Sequence, residues 1–343
     1  MSKVLGVSIY ENNIVFVRLS NDTKPYMIDK IVHFDNKIPH FFEQITKAKS
    51  KETTQAVNII RDTLKKEGMS ELEAHIVLPD HTSSTQILSL PLITEKEIVS
   101  AIELQADEFI PYPIEKATFD YQVLSVDKEK NSMSVLVAVM LKELVNSIEG
   151  FILDIGLYPL SVEPVTTSFY RLLFGKYMKE KENIVLFLNI DNRSTQASII
   201  NLSQQLLLMT YSFSIGNDFF LRGIQSYQNI GDKESSDQFM KIAENPKIQP
   251  ITSSLFAEFS KEIRKIFLSS TEKIGTTPKH IIIYSQYLNA FQWLFTNDSA
   301  SILPQTTTID IEDMKKSGVI KLAPAIKSEE LLLYFPALTT CLQ

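Results

Sequence analysis

VLGVSIYENNIVFVRLSNDTKPYMIDKIVHF, residues 4–34, decides the fold. Val4–Tyr10, Asn13–Leu19 and Tyr26–Phe34 are rich in β-branched and aromatic residues, and Glu11-Asn12-Asn13 is a tight-turn signal. The segment therefore predicts an antiparallel meander. The same order returns in NIVLFLNIDNRSTQASIINLSQQLLLMTYSF, residues 183–213, as strands Asn183–Ile190, Gln196–Leu202 and Gln205–Phe213. Each meander leads through helix to a further strand. In the first half the helix is Thr53–Glu67, with Ala56, Ile59, Ile60 and Leu64 on one face and Gly68 closing it, and the strand is His75–Leu78. In the second half helices around Lys233–Ala243 and Thr252–Lys273 precede His280–Tyr284. The pattern predicts a duplicated α/β architecture of two lobes, each a mixed sheet packed with helices.

Residues 84–160 interrupt the first half. Strand Ser84–Leu90 ends at Pro91, and Thr94-Glu95-Lys96-Glu97 reads as a capping box, because Thr94 can cap the exposed amides while Glu97 reaches back. Ile98, Ile102, Ala106 and Phe109 then recur at helical spacing up to Pro111. Strands Ala117–Val126 and Ser132–Met140 follow, then a helix from Lys142 with Val145, Ile148, Ile152 and Ile155 inward and Gly156 at its end. These predict a small α+β insertion. The expected division is 1–83, 160–182 and 326–343 for the first lobe, 84–159 for the insertion and 183–325 for the second lobe. Pro159–Lys179 reads as strand then helix, Ala290–Phe295 as helical, 297–325 as solvated loop and Glu329–Leu342 as a closing helix.

Composition narrows the function. The chain has 343 residues, 44% hydrophobic and 22% charged, with a net charge of -7 and one cysteine, Cys341. These are the proportions of a soluble protein with an ordinary core. No block of basic residues supports nucleic-acid binding, and one cysteine makes neither a disulfide nor a thiolate zinc site. No leader or 18-residue apolar run is visible, so a cytosolic protein is expected. The five histidines, His33, His40, His75, His81 and His280, lack ligand spacing, so no metal is expected. Glu103, Asp107 and Glu108 read as a solvated helix face, and Phe291, Trp293 and Phe295 as core. Only 10 residues are glycine, about 3% against a usual 7% or so. That is few for a chain whose loops are to cradle phosphates.

Two meander-led halves with an insertion in the first describe the actin-like ATPase architecture, a duplicated ribonuclease H-like fold. Leu88-Ser89-Leu90-Pro91, Thr94–Ile98, Ala101-Ile102-Glu103, Gln105–Pro113 and Asp120-Tyr121-Gln122-Val123-Leu124 together resemble the PilM family, the actin-like assembly proteins of type IV pili. Val137-Ala138-Val139 with Lys142–Val145, Gly156–Glu163 and Tyr211–Asn217 are similar to later family stretches. The resemblance implies a cytosolic scaffold, peripheral at the inner membrane, that binds the N-terminal tail of a PilN-like bitopic membrane protein between the first lobe and the insertion. The groove is expected near Leu90, Pro91, Ile98 and Ile102, with Phe109 and Pro111 behind.

In actin-like folds two hairpin turns cradle phosphates, each with an acidic residue beside the magnesium. The resemblance places the first at Ser8-Ile9-Tyr10-Glu11-Asn12-Asn13. There Ser8 lacks a carboxylate, Tyr10 brings a ring to the phosphate position, and Glu11 and Asn12 are poor substitutes. The second falls at Asn189-Ile190-Asp191-Asn192-Arg193-Ser194-Thr195, where asparagine replaces the aspartate and Asp191 the glycine, while Arg193, Ser194 and Thr195 keep some capacity for an anion. The adenosine loop falls at Ser285-Gln286-Tyr287, with no glycine. No cofactor is therefore expected, and ATP with magnesium is the alternative ligand. Competing readings are a sugar or acetate kinase or ATP hydrolase on this fold, an FtsA-like division protein, whose basic amphipathic helix Leu331–Gln343 lacks, and the GspL-type cytoplasmic domain of a larger type II secretion membrane protein.

Overall fold

The computed structural model describes residues 3–20, 24–36, 38, 40–47, 50–174, 184–297, 303–309, 311–326 and 331–342. They belong to two compact units, Met1–Tyr177 with Ile311–Gln343, and Met178–Asp310. In the first unit β1 (Val4–Ile9), β2 (Asn13–Leu19) and β3 (Tyr26–Asp35) form the predicted antiparallel meander. A short helix absent from the sequence expectation, α1 (Phe41–Thr46), and α2 (Lys51–Lys66) lead to β4 (Glu73–Leu78), which runs parallel to β1. Leu5, Val7 and Ile9 pack with Val57, Ile60 and Leu64 of α2. The buried stripe is thus Val57-Ile60-Leu64, and Ile59, expected inside, is 61% exposed. Helix α2 starts at Lys51, two residues before the expected Thr53, and Ser50 caps it, its Oγ accepting the Thr53 N–H at 3.1 Å.

The insertion consists of β5 (Ser83–Pro91), α3 (Glu95–Phe109), β6 (Ala117–Asp127) and β7 (Ser132–Leu141). Its antiparallel sheet has the order β5-β7-β6, and α3 lays Ile98, Ile102 and Ala106 against Leu90, Val135, Val137 and Val139. The capping box forms as the spacing predicts: the Glu97 carboxylate accepts the Thr94 N–H at 2.8 Å. The next helix, α4 (Lys142–Asp154), is not part of the insertion as expected. Leu144, Ile148, Phe151 and Ile152 join the core under β1, where Phe151 meets Phe41 edge-on at 5.4 Å. An apolar stripe shows that a helix is buried but not which body it faces. β8 (Tyr158–Pro164) extends the main sheet parallel to β4, and α5 (Val165–Phe174) follows.

The second unit contains β9 (Ile184–Ile190), β10 (Thr195–Asn201), β11 (Leu206–Phe213), α6 (Asn217–Gln228), α7 (Asp232–Met240), α8 (Gln249–Ile274), β12 (His280–Ser285), α9 (Leu288–Asn297) and β13 (Gln305–Thr308). Its sheet order, β11-β10-β9-β12-β13, repeats β3-β2-β1-β4-β8, with the meander antiparallel and the last two strands parallel in both. The duplication is one of topology. Helix α6, to which the sequence expectation gave no range, buries Phe220 and Ile224 and carries Gly223 where it meets α8. A Cβ there would lie 2.3 Å from Leu255 Cδ1, so glycine lets α6 and α8 approach. Phe220, Phe239, Phe259 and Phe291 fill the core, Phe220 meeting Phe291 edge-on at 5.2 Å.

The chain then adds α10 (Ile311–Lys316), β14 (Ile320–Leu322) and α11 (Leu331–Thr339) to the first unit. Residues 297–325, expected as loop of the second lobe, therefore carry β13, α10 and β14, and β14 pairs parallel with β3. The expected boundary at 182/183 and the ends of Pro159–Lys179 and Glu329–Leu342 lie partly outside the described residues. Strand alternation puts Gly6 and Ser8 on the face of β1 opposite Leu5, Val7 and Ile9. There α11 comes so close that a Cβ on Gly6 would lie 1.7 Å from the Ala337 carbonyl oxygen. Phe335 stacks on Phe169 of α5 at 5.5 Å on this side. No described helix is long and apolar enough to cross a membrane.

Candidate functional site

Ser8, Tyr10 and Asn12 stand on the β1–β2 hairpin as predicted, but the turn is tied to its own surroundings. Ser8 is fully buried, and its Oγ has no hydrogen-bond partner among the described residues. The Tyr10 N–H donates to Asn13 O at 2.8 Å, and the Asn36 N–H to Asn12 O at 2.8 Å. Glu11 turns its carboxylate onto the Phe41 N–H at 2.7 Å, serving the start of α1.

In the second unit the structure brings Asn189, Asp191, Ser194, Thr195, Ser285 and Gln286 into one region through two residues that the sequence reading did not single out, Asn192 and Asn217. The Asp191 N–H donates to Ser194 O at 3.0 Å, closing the β9–β10 turn. The turn docks on the start of α6, with the Asn217 and Asp218 N–H groups donating to Asp191 O at 2.8 Å and Asn192 O at 2.9 Å. A Cβ on Gly216 would lie 2.3 Å from Asp191 O, so only glycine permits this docking. The signal was therefore a glycine outside the three expected loops. Gln286 donates to Asn192 Oδ1 at 2.6 Å, Ser285 Oγ to Asn217 Oδ1 at 2.9 Å, and the Tyr287 N–H to Ser285 Oγ at 3.1 Å. Thr195 donates to Ile215 O at 2.7 Å. Tyr287, where the adenosine loop would have glycine, sets its ring 5.3 Å from Phe239 and its hydroxyl 2.9 Å from Ser236 Oγ. Burial raises the Asp218 carboxyl above its usual range, partly offset by Arg222 and Arg193, and Asp191 adds to the rise. The Asp191, Asn217 and Asp218 backbone amides therefore already have acceptors, and Asp191 and Asp218 share the region with Arg193 and Arg222.

The expected groove residues fall elsewhere. Leu90, Ile98 and Ile102 are 1%, 1% and 0% exposed, locked between α3 and its sheet because the same apolar stripe that attracts notice is the insertion's core. Pro91 is exposed, at the end of β5, on the sheet edge away from β6. A groove between insertion and first body does exist on the other face of that sheet. It is a cavity of about 500 Å³ walled by β6 and β7 on one side and β8 on the other, with α4 and α5 completing it. Both β6 and β8 are edge strands, and each carries a β-bulge facing the same cavity. Leu124 has no partner residue on β7 and Leu160 none on β4, and both line the groove. Bulges re-aim side chains at binding surfaces. Leu160 is 52% exposed.

Polar groups set the groove's chemistry. Glu163 accepts from Arg171 through both guanidinium Nη atoms, one at 2.9 Å, from Thr167 at 3.0 Å and from Thr340 at 2.7 Å. Ser161 bonds His75 Nδ1 at 2.7 Å, and burial holds His75 below the usual imidazole range. Asp120 and Glu149 also line the cavity, and neither forms an ion pair among the described residues. Asp120, Gln122 and Leu124 belong to the stretch quoted above for the family resemblance. What the sequence did not display is which face of β6 is left uncovered.

Comparison with known proteins bears on the fold and the family. No curated protein sequence matches the chain. Among solved structures it resembles a PilM-PilN type IV pilus biogenesis complex chain, with a TM-score of 0.77 at 16% identity, covering 99% of this chain and 96% of that one. The ethanolamine utilization protein EutJ from Carboxydothermus hydrogenoformans aligns with a TM-score of 0.54 at 10% identity, covering 100% and 90%. The cytoplasmic domain of EpsL, an inner membrane component of the type II secretion system of Vibrio cholerae, aligns at 0.45 and 10%, covering 98% and 95%. The fold is the actin-like α/β fold expected from the two meanders. The sequence model described as type IV pilus assembly protein PilM matches residues 6–276. This chain belongs to the PilM family of type IV pilus assembly proteins.

Proposed function

We propose that the chain is a scaffold of a type IV pilus inner-membrane platform. It holds the extended cytosolic tail of a PilN-like membrane protein in the groove between β6 and β8, and its former nucleotide loops serve only the fold. The observation that carries the reading is the pair of bulged leucines, Leu124 and Leu160, turned into one cavity from two edge strands. Edge strands offer unpaired main-chain groups to an extended peptide, and the leucines offer contacts for its side chains. The match to a PilM-PilN complex chain supports a partner of this kind. The loop networks around Glu11 in one unit and around Asn192 and Tyr287 in the other support loss of ATP binding, because each already engages the side chains of an expected nucleotide turn within its own unit. Attachment to the membrane then comes through the partner, and the chain is not an enzyme.

Fluorescence anisotropy with a labelled synthetic peptide of a PilN-like tail tests this. Saturable binding below about 100 μM, a free energy near 5.5 kcal/mol, is expected. Absence of saturation up to about 1 mM removes the reading.

A further inference from the structure

We infer that the segment seated in this groove presents a lysine or arginine to Asp120 and Glu149, an inference that rests on reading the groove as a peptide site. The ionisable carboxylates and bases that line it are Asp120, Glu149, Glu163 and Arg171. Arg171 is bound to Glu163, whose oxygens also receive Thr167 and Thr340, so that pair is internally neutral and saturated. Asp120 Oδ1 accepts only the neighbouring Tyr121 N–H, at 2.8 Å, and Glu149 has no ion pair among the described residues. The groove therefore carries two uncompensated negative charges against the apolar lining of Leu124, Leu136 and Leu160.

The two carboxylates come from different bodies. Asp120 stands on β6 of the insertion, and Glu149 on α4, which is packed into the first body's core. An occupant that crosses from one wall to the other meets both. An acidic segment is repelled by them, and a neutral one gains nothing. A cation is attracted by each. Apolar side chains against Leu124 and Leu160 and a basic one facing the carboxylates describe a short extended peptide of mixed apolar and basic character.

The test uses the full chain and the labelled tail peptide in two forms, one native and one with each lysine or arginine replaced by citrulline or norleucine, at 50 and 300 mM salt. The native peptide is expected to bind about three- to tenfold more tightly than the neutralised one at low salt, with the difference shrinking at high salt. D120N and E149Q, both at exposed positions, are expected to lose the same factor against the native peptide and nothing against the neutralised one, at unchanged melting temperature. Native and neutralised peptides binding equally, or a tail without lysine or arginine saturating the groove as tightly, would overturn the inference while leaving the groove a peptide site. Failure of every peptide to bind removes the proposed function itself.

Discussion

Thr340 donates a 2.7 Å hydrogen bond to Glu163 Oε1, joining two residues 177 positions apart. The turn after α11 is thereby fastened to the strand that walls the groove, and Arg171 and Thr167 of α5 fasten to the same carboxylate. Glu163→Ala leaves the Arg171 guanidinium and the Thr340 hydroxyl without this acceptor, while Thr167 keeps Pro164 O. It is expected to cost about 2–3 kcal/mol of stability. Urea denaturation measures this, and the double variant Glu163→Ala/Arg171→Ala should cost less than the two singles summed, because removing both partners leaves no orphaned charge.

Gly6→Ala places a methyl where the Ala337 carbonyl oxygen already sits, at 1.7 Å. Backbone cannot yield as a flexible side chain does, so α11 must shift away from β1. A loss of about 3 kcal/mol or more is expected, read as a fall in melting temperature. Gly150→Ala, with nothing within 4 Å of its Cβ, should instead gain a few tenths of a kcal/mol by helix propensity.

The two meanders were legible because β-branched runs broken by polar turns carry their own period, and the capping box of Thr94 and Glu97 because it is a local, four-residue device. What was not legible depends on partners distant in sequence. The stripe Leu144-Ile148-Phe151-Ile152 faces Phe41 rather than the insertion, and β14 finds β3 across about 300 residues of chain. At the candidate site the altered loop residues were readable one by one. Their mutual hydrogen bonds were not, since Asn192 and Asn217 look like ordinary loop asparagines until Gly216 brings the segments together. Leu124 and Leu160 are unremarkable leucines in sequence. Only the register of pairing reveals that each is the extra residue of a bulge.

Ser8→Ala removes a buried hydroxyl that has no hydrogen-bond partner among the described residues. If the first hairpin no longer serves magnesium and phosphate, the change is neutral or stabilising by up to about 1 kcal/mol. Calorimetry with ATP and magnesium should show no saturable heat for either form. A melting temperature raised by nucleotide in the parent and not in the variant would contradict both expectations.

His75 supplies a pH dependence. Burial lowers its pKa in the folded chain, beneath the ordinary value of about 6.5. Above that value both folded and unfolded chains hold it neutral. As pH falls below it, the unfolded chain takes up the proton first, so stability declines, by at most about 1.4 kcal/mol per pH unit, until the folded-state pKa is passed. Melting temperatures between pH 7.5 and 5.5 should therefore fall less in His75→Gln than in the parent.

Leu160 and Ile98 separate binding from folding. Leu160 is 52% exposed at a bulge, so Leu160→Asp loses little buried surface and should change stability by no more than about 0.5 kcal/mol. The same substitution puts a carboxylate on the groove wall, where an apolar side chain of the tail is to pack, and is expected to weaken peptide binding at least about tenfold. Ile98 is 1% exposed in the insertion's core. Ile98→Asp buries a charge without a partner, so it should destabilise the insertion by about 3–5 kcal/mol and lose binding only through that loss of structure. Circular dichroism and anisotropy on the two variants distinguish the cases. An Ile98 variant that stays folded and loses only binding would return the site to the α3 side of the sheet. A Leu160 variant that binds the tail as tightly as the parent would exclude the groove between β6 and β8.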